Sequence, residues 1–243
     1  MKIAGTARRS ADLASALDQV SLQGWFADCP EETRALLAPL ARLQRFSPGN
    51  VVYLQGDPAD GLYGLVSGGP DISVPRPDGT EFTFHRAESG FWIGDLAVMS
   101  EARRLVSVRA ATEVVLLFLR AADIAALLQE HPVLYRDFYR LSYMNFSTTF
   151  FLMSNISLVS SDARVALRLL LQLERAPDPQ GHVNLSQSSL AELVALSEPT
   201  LQRMRKRLSD LCCSEQAYRR IRVTDREKLL QLCGEGVNLE NFR

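Results

Sequence analysis

The sequence predicts an α+β protein with an N-terminal antiparallel β-domain, one long helix and a C-terminal helix-turn-helix followed by a wing. Three observations support this order. Between residues 46 and 119, short apolar runs alternate with Gly, Pro and Asp turns, as in sandwiches and barrels. Residues 133–160 contain neither Gly nor Pro, which favours a single long helix. Residues 185–211 hold two amphipathic helical patterns separated by a short turn.

The charge of the chain is unevenly distributed. The 243 residues carry a formal net charge of −1, which argues against a protein that is basic throughout, and 47% hydrophobic residues suffice for a core. Residues 201–222, however, contain seven Lys and Arg against Asp210 and Glu215, whereas residues 1–197 are net acidic. A local cationic patch of this kind is typical of a surface that contacts phosphate.

The β-domain is indicated by its turns. Six runs with β-like composition, VVYL, LYGLV, DISVP, EFTFH, LVSVRA and VVLLFL, follow one another at nearly regular spacing. Asp78-Gly79 between two of them suits a tight hairpin turn, because Gly adopts a positive φ at little cost. Before these runs, residues 25–43 predict one or two short helices, and residues 1–20 are small and polar enough to be flexible.

The long helix carries an apolar seam. Over residues 133–160 it would span about 40 Å, too long to be buried on one small sandwich. A seam of this length typically pairs with its own copy in a parallel two-fold dimer. The predicted seam consists of Leu134, Phe138, Leu141, Met144 or Phe146, Phe150, Met153, Ile156 and Leu158.

The two C-terminal helical patterns fit a helix-turn-helix. Ser186 and Ser197 are the expected N-caps, and Ala195 lies in the turn between the helices. Pro199 suits the first turn of the second helix, where a missing N–H costs little. The core stripe of that helix is Leu201, Met204, Leu208 and Leu211, and its polar, largely cationic face is Glu198, Thr200, Gln202, Arg203, Arg205, Lys206 and Arg207. Any α-rich domain can show this spacing, but the cationic patch favours a helix that enters the DNA major groove.

Taken in order, these motifs resemble the Crp/Fnr superfamily of bacterial transcription regulators, which includes the cyclic-AMP receptor protein. The resemblance covers nearly everything from Trp25 to Cys233. Its marks are Phe46-Ser-Pro-Gly49, Gly56-Asp57, Tyr63 to Gly68, Gly94-Asp95-Leu96, Arg104, Val108-Arg-Ala110, Arg164 and Ser197 to Arg203. It implies a jelly roll like a cyclic-nucleotide-binding domain, a long dimerisation helix and a winged helix-turn-helix.

The resemblance also implies an effector site. Its candidate residues are Gly94, Asp95, Leu96, Arg104, Leu105 and Thr149. In relatives that bind cyclic nucleotides, a Glu holds the ribose, an Arg with a hydroxyl residue holds the phosphate, and a hydroxyl on the long helix meets the base. This sequence has Asp95 for the Glu and Leu105 for the hydroxyl residue. A buried phosphate that lacks one donor loses about 1–3 kcal/mol of binding. A cyclic nucleotide is therefore a possible effector, but the sequence favours an unknown small ligand or none at all.

At the DNA end, the resemblance assigns a set of contacts to the two helices. These residues are Ser186, Ser197, Glu198, Thr200, Gln202, Arg203 and Lys206. Arg203 is expected to contact phosphate or guanine, and Glu198 a cytosine amino group. Relatives closest to the namesake have Arg-Glu where this chain has Glu198-Pro199, so its target should differ from that of the namesake. Ala195, Ser214 and Tyr218 are further departures, which concern the scaffold of the domain.

We therefore expect a cytoplasmic homodimer that binds double-stranded DNA and is not an enzyme, with RNA polymerase as a further implied partner. The expected segments are a flexible N-terminus at 1–20, an effector-sensing jelly roll at 21–132, a dimerisation helix at 133–160 and a DNA-binding domain at 161–243. A lone Cys29 does not provide an iron–sulfur site, haem is not expected, and no run is long enough to span a membrane. The alternative is a ligand-sensing or protein-interaction module whose helix-turn-helix has lost DNA binding.

Overall fold

The computed structural model describes residues 2–157, 160–175, 178–183, 185–217 and 220–234. The chain forms two compact units. The first comprises residues 1–81 and 85–146, and the second comprises residues 82–84 and 147–243. The boundary between the two units lies inside the long helix.

The first unit begins with three helices, α1 (Lys2–Val20), α2 (Trp25–Asp28) and α3 (Glu31–Leu37), and a short 3-10 turn follows at Ala38–Leu40. The N-terminal segment, which we expected to be flexible, is helical over nearly its whole length. Ala16 and Val20, one turn apart, are buried in the apolar core of this unit. Burial of this face gives a physical reason for the helix, which the small and polar composition did not reveal.

Eight strands form two antiparallel sheets of four. They are β1 (Arg42–Phe46), β2 (Val51–Tyr53), β3 (Gly61–Ser67), β4 (Pro70–Pro75), β5 (Glu81–Arg86), β6 (Trp92–Ile93), β7 (Ser107–Ala110) and β8 (Val114–Arg120), with α4 (Asp95–Met99) after β6. The sheet orders are β1-β8-β3-β6 and β2-β7-β4-β5. The predicted jelly-roll class and the turn at Gly79, with φ 82°, are confirmed. β1 starts four residues before the expected change at Phe46, because Arg42 to Phe46 pair in register with β8.

The long helix is anchored in an aromatic cluster. After α5 (Ala121–Glu130) and a 3-10 turn at Pro132–Leu134, α6 runs from Tyr135 to Ser157. Phe138 packs against Trp25, with ring centroids 5.4 Å apart, and Trp25 packs edge-on against Trp92 at 5.3 Å. The indole N–H of Trp25 donates to the backbone carbonyl of Asp137 at 2.7 Å, and the Thr33 hydroxyl donates to the Asp137 carboxylate at 2.7 Å.

The predicted seam of this helix is wrong in its first half. Leu134, Phe138 and Leu141 are buried in the core of the first unit, and Met144 packs against it. The exposed stripe consists of Tyr139, Tyr143, Phe146, Phe150 and Met153, which recur at spacings of 4, 3, 4 and 3 residues. The sequence has apolar residues on two faces of α6, and pattern alone did not distinguish the face that meets the core. Leu158 and the side chain of Ile156 lie outside the described residues.

The second unit contains α7 (Ser161–Arg175), β9 (His182–Val183), α8 (Gln187–Leu193), α9 (Glu198–Asp210), β10 (Ser214–Ala217), β11 (Arg220–Val223) and α10 (Arg226–Cys233). Its three short strands form one antiparallel sheet in the order β10-β11-β9. Leu190, Leu201 and Leu208 are fully buried between the helices. The two predicted helices and their apolar faces are thus confirmed.

The turn between α8 and α9 depends on a strained alanine. Ala195 adopts φ 52°, and the N–H of Leu196 donates to the carbonyl of Ala191 at 3.0 Å, which closes the end of α8. The left-handed region costs an L-residue with a Cβ about 1 kcal/mol, whereas Gly adopts it readily.

Replacement of Ala195 by Gly should therefore raise the free energy of unfolding of the second unit by about 0.5–1 kcal/mol. Urea denaturation followed by far-UV circular dichroism measures this. The matched control is Ala191→Gly inside α8, where the same exchange should destabilise by about 1 kcal/mol. A loss of stability in both variants would contradict the left-handed turn.

Candidate effector site and nucleic-acid interface

Gly94 begins the segment to which the effector site was assigned. It lies just before α4 with φ 106°, and a Cβ there would overlap the Nη1 atom of Arg104 and approach the carbonyl of Gly61. Only Gly meets both requirements without displacing its neighbours. Gly94 therefore has a conformational reason to stand here, whether or not a ligand binds.

The guanidinium of Arg104 is buried and already engaged. Its Nη2 atom donates to the carbonyl of Gly61 at 2.7 Å and pairs with the carboxylate of Asp60, while Nη1 lies 3.4 Å from the carbonyl of Gly94. The face of the guanidinium lies over the ring of Tyr53, 4.2 Å from its centroid. The Nε atom is buried and has no hydrogen-bond partner among the described residues. Arg104 thus retains one donor for an anion.

The carboxylate of Asp60 accepts hydrogen bonds from two side chains, those of Arg104 and Tyr63. Besides the ion pair with Arg104, its second carboxylate oxygen accepts the hydroxyl of Tyr63 at 2.7 Å. Burial raises the pKa of Tyr63, and the hydrogen bond to Asp60 raises it further. Sequence reasoning missed Asp60, although it stands in the turn-rich segment QGDPADG.

Asp95 faces α6. It is 3% exposed, and its two carboxylate oxygens accept the hydroxyl of Ser142 at 2.6 Å and the side-chain amide of Asn145 at 2.8 Å. Burial raises the pKa of Asp95, and the two side-chain hydrogen bonds act in the opposite direction. Ser142 and Asn145 were not predicted; their signal is a pair of polar residues at i and i+3 on a helix rich in aromatic residues.

The remaining predicted effector residues are Leu105, Leu96 and Thr149. Leu105 is 60% exposed, and Leu96 is partly buried in α4. Thr149 is an exposed residue of α6 and belongs to the second unit. The structure brings Gly94 and Arg104 together and directs Asp95 to the long helix.

One small apolar cavity lies between the two sheets. A cavity lined by Tyr63, Leu65, Ile72, Phe91, Val108 and neighbouring apolar residues has a volume of about 10 Å³. This is the volume of roughly one water molecule, whereas pockets for small organic ligands typically measure about 300 Å³ or more. Two of the predicted effector residues do not fit a cyclic nucleotide. Asp95, at the position of the ribose acid, is bonded to α6, and Leu105 stands where relatives have the hydroxyl residue that meets the phosphate.

The helix-turn-helix presents its caps as predicted. The Ser186 hydroxyl accepts the backbone N–H of Ser189 at 3.1 Å, and the Ser197 hydroxyl accepts that of Thr200 at 3.4 Å. Pro199 lies in the first turn of α9. Both caps satisfy N–H groups that have no partner within the helix, so they fix where each helix begins.

Three side chains form a hydrogen-bonded ridge on α9. The Ser197 hydroxyl donates to the hydroxyl of Thr200 at 2.9 Å, and Nη2 of Arg203 donates to the same Thr200 oxygen at 3.2 Å. This arrangement orients the Arg203 guanidinium at the surface. Ser186, Ser197, Glu198, Gln202, Arg203 and Lys206 are exposed, and Thr200 is partly buried.

Other cations of the region are engaged inside the second unit. Nη1 of Arg207 lies 2.7 Å from a carboxylate oxygen of Asp162, which holds α9 against the start of α7. Arg222 donates to the carbonyl of Gln180 at 3.3 Å and lies 3.4 Å from Glu215. Arg205 is half-buried and borders a cavity of about 460 Å³ between α9 and the wing strands, and burial lowers its pKa. Tyr218 and Arg219 lie outside the described residues.

Among the described residues, no group of three or more His, Cys, Asp or Glu side chains is placed to hold a metal ion. No helix in the described part of the chain is both long and apolar enough to cross a membrane.

Two family models match the chain. The cyclic nucleotide-binding domain model matches residues 43–131, and the Crp-like helix-turn-helix domain model matches residues 163–232. The chain is 25% identical over 179 residues to the CRP-like cAMP-activated global transcriptional regulator of Mycobacterium tuberculosis, covering 71% of this chain and 80% of that protein. It is also 29% identical over 103 residues to a putative potassium channel protein of Rhodopseudomonas palustris, but covers only 24% of that relative's length, so the channel activity is not carried over.

Solved structures share the fold. FixK2 from Bradyrhizobium japonicum matches with a TM-score of 0.74 and 16% identity, covering 81% of this chain and 99% of that one. A CRP-family transcriptional regulator from Thermus thermophilus matches with a TM-score of 0.58 and 25% identity, covering 80% and 98%. With its nucleotide-binding-type jelly roll, long helix and Crp-like helix-turn-helix, the chain belongs to the Crp/Fnr superfamily and is a transcription regulator of that type.

Proposed function

We propose that the chain acts as a homodimer that reads a two-fold-symmetric DNA operator through two copies of the recognition helix at residues 197–211. The observation that carries this proposal is the ridge Ser197–Thr200–Arg203 on a capped helix whose outer face is exposed and cationic. A pre-oriented guanidinium suits the O6 and N7 acceptors of guanine in the major groove. The kinship with transcriptional regulators supports the same conclusion.

The individual contacts follow from side-chain chemistry. Arg203 reads guanine, Glu198 accepts a cytosine amino group and Gln202 pairs with adenine. Phosphates are contacted by four residues, Ser186, Ser197, Thr200 and Lys206. Ser186 and Ser197 stand at helix N-termini, where backbone N–H groups also favour an anion. Because Glu198 begins the helix, the preferred operator should differ from that of relatives with a cation at this position.

The exposed stripe of α6 provides the dimer contact. Its five residues recur with the 4-3 spacing of a coiled-coil seam, and each is roughly half or more exposed. An apolar face of this kind on a surface helix is stabilised when a second copy covers it. A parallel two-fold pairing would place the two recognition helices for two successive half-sites of DNA.

Arg203→Ala should weaken specific DNA binding by about 1–3 kcal/mol and relax the preference for guanine at one position per half-site. Fluorescence anisotropy on an operator selected from random two-fold-symmetric DNA measures the Kd at several salt concentrations. Arg42→Ala, which removes an exposed Arg of the first unit, is the control and should bind as the unaltered protein does. Unaltered protein that selects no sequence and shows no salt-sensitive binding would favour the protein-interaction alternative.

Tyr143→Glu combined with Met153→Glu should shift the protein toward monomer and weaken operator binding at least tenfold, because like charges would face each other along the seam. Analytical ultracentrifugation measures the dimer fraction. Val133 is 76% exposed but lies off the stripe, so Val133→Glu is the matched control and should remain dimeric. Equal dimer fractions in all three proteins would show that the stripe is not the seam.

A further inference from the structure

Asp95, Ser142 and Asn145 form a closed polar group, which we call the Asp95 clasp. Both carboxylate oxygens of Asp95 are used, one by the Ser142 hydroxyl at 2.6 Å and one by the Asn145 amide at 2.8 Å. The same amide nitrogen also lies 3.1 Å from the carbonyl of Trp92, at the end of β6. The clasp therefore joins α4 and β6 of the jelly roll to the middle of α6.

The clasp is energetically significant because Asp95 is buried. A carboxylate that leaves water requires donors, and the loss of one donor leaves a desolvated acceptor without a partner, which destabilises the fold. Both side-chain donors come from α6, and they stand three residues apart on one face of that helix. The requirement to satisfy Asp95 thus fixes the rotation of α6 about its own axis.

The rotation of α6 decides which side chains face outward. At about 100° per residue, a turn of one residue would move the exposed stripe well away from its present direction. Phe138 and Leu141 fix the same face through apolar contact, but apolar packing tolerates small rotations better than a hydrogen bond does. The clasp supplies the directional part of this constraint.

We propose that Asp95 is a positioning residue that sets the rotation of α6, and that this contact replaces the ribose contact of nucleotide-binding relatives, so that dimerisation and DNA binding need no cyclic nucleotide. The replacement agrees with the exposed Leu105, whose side chain has no donor for a phosphate oxygen. The inference rests on the proposed homodimer and its seam.

The test compares two substitutions at Asp95. Asp95→Ala removes both acceptors. Asp95→Asn keeps the shape and the clasp, because its amide oxygen accepts from Asn145 and its NH2 group donates to the Ser142 hydroxyl. Asp71→Ala is the control, since Asp71 pairs with Arg86 at 2.7 Å on β4 and β5, away from α6.

Dimer dissociation and operator Kd are measured with and without saturating cyclic AMP or cyclic GMP. For Asp95→Ala we expect both constants to rise at least tenfold. Asp95→Asn and Asp71→Ala should stay within about twofold of the unaltered protein. Neither nucleotide should change the Kd of the unaltered protein. If Asp95→Ala does not fold, the double variant Ser142→Ala, Asn145→Ala replaces it, with the same expected loss.

Two results would overturn the inference. The first is a folded Asp95→Ala protein with unchanged dimer and operator constants. The second is a cyclic nucleotide that tightens operator binding of the unaltered protein. If the unaltered protein neither dimerises nor binds DNA, the proposed function fails; the clasp is then judged by fluorescence of the two tryptophans, Trp25 and Trp92, which must shift in Asp95→Ala and not in Asp71→Ala.

Discussion

The anchoring of α6 in the jelly-roll core is the constraint on which the rest of the architecture depends. Phe138 packs against Trp25, and Leu141 is buried in the same core. Hydrogen bonds to Asp137 and Asp95 hold the helix at this face. Because a helix is rigid, burial of one face fixes its rotation about its own axis. This rotation determines which side chains lie on the opposite face. The aromatic stripe is exposed because the other side of the helix is buried in the core of the jelly roll.

In the jelly roll, the buried charged side chains of Arg104 and Asp95 are hydrogen-bonded by other residues of the chain. Arg104 has Asp60 and two backbone carbonyls, and Asp95 has two donors from α6. Buried charges are costly unless they are paired and hydrogen-bonded. Because both side chains have partners within the chain, the folded domain needs no ligand to stabilise them. The nucleotide-binding fold is retained, but two of the residues that would meet the nucleotide do not line a site for it. Asp95 is hydrogen-bonded to α6, and Leu105 faces solvent.

The parts of the fold that depend on local sequence were the most predictable. Ser186 and Ser197 predicted where the two helices begin, and Asp78-Gly79 predicted the hairpin turn. Caps and turns are predictable because they depend on a few adjacent residues. The roles of Asp60 and Asp95 were not predictable, since their partners Arg104 and Asn145 are 44 and 50 residues away. The α6 seam failed for a related reason: which of two apolar faces is buried depends on Trp25, more than 100 residues earlier.

The ion pairs around the recognition helix alter how its cations should be counted. Residues 201–222 carry a formal charge of +5, yet Arg207 is held by Asp162, and Arg222 by Glu215 and a carbonyl. In the proposed complex, each phosphate neutralised by a Lys or Arg releases condensed counterions. A guanidinium that already has a carboxylate releases fewer, so occupancy of the operator should respond to ionic strength less steeply than the sequence composition suggests. Such a regulator would stay bound to its operator over a wider range of salt concentration.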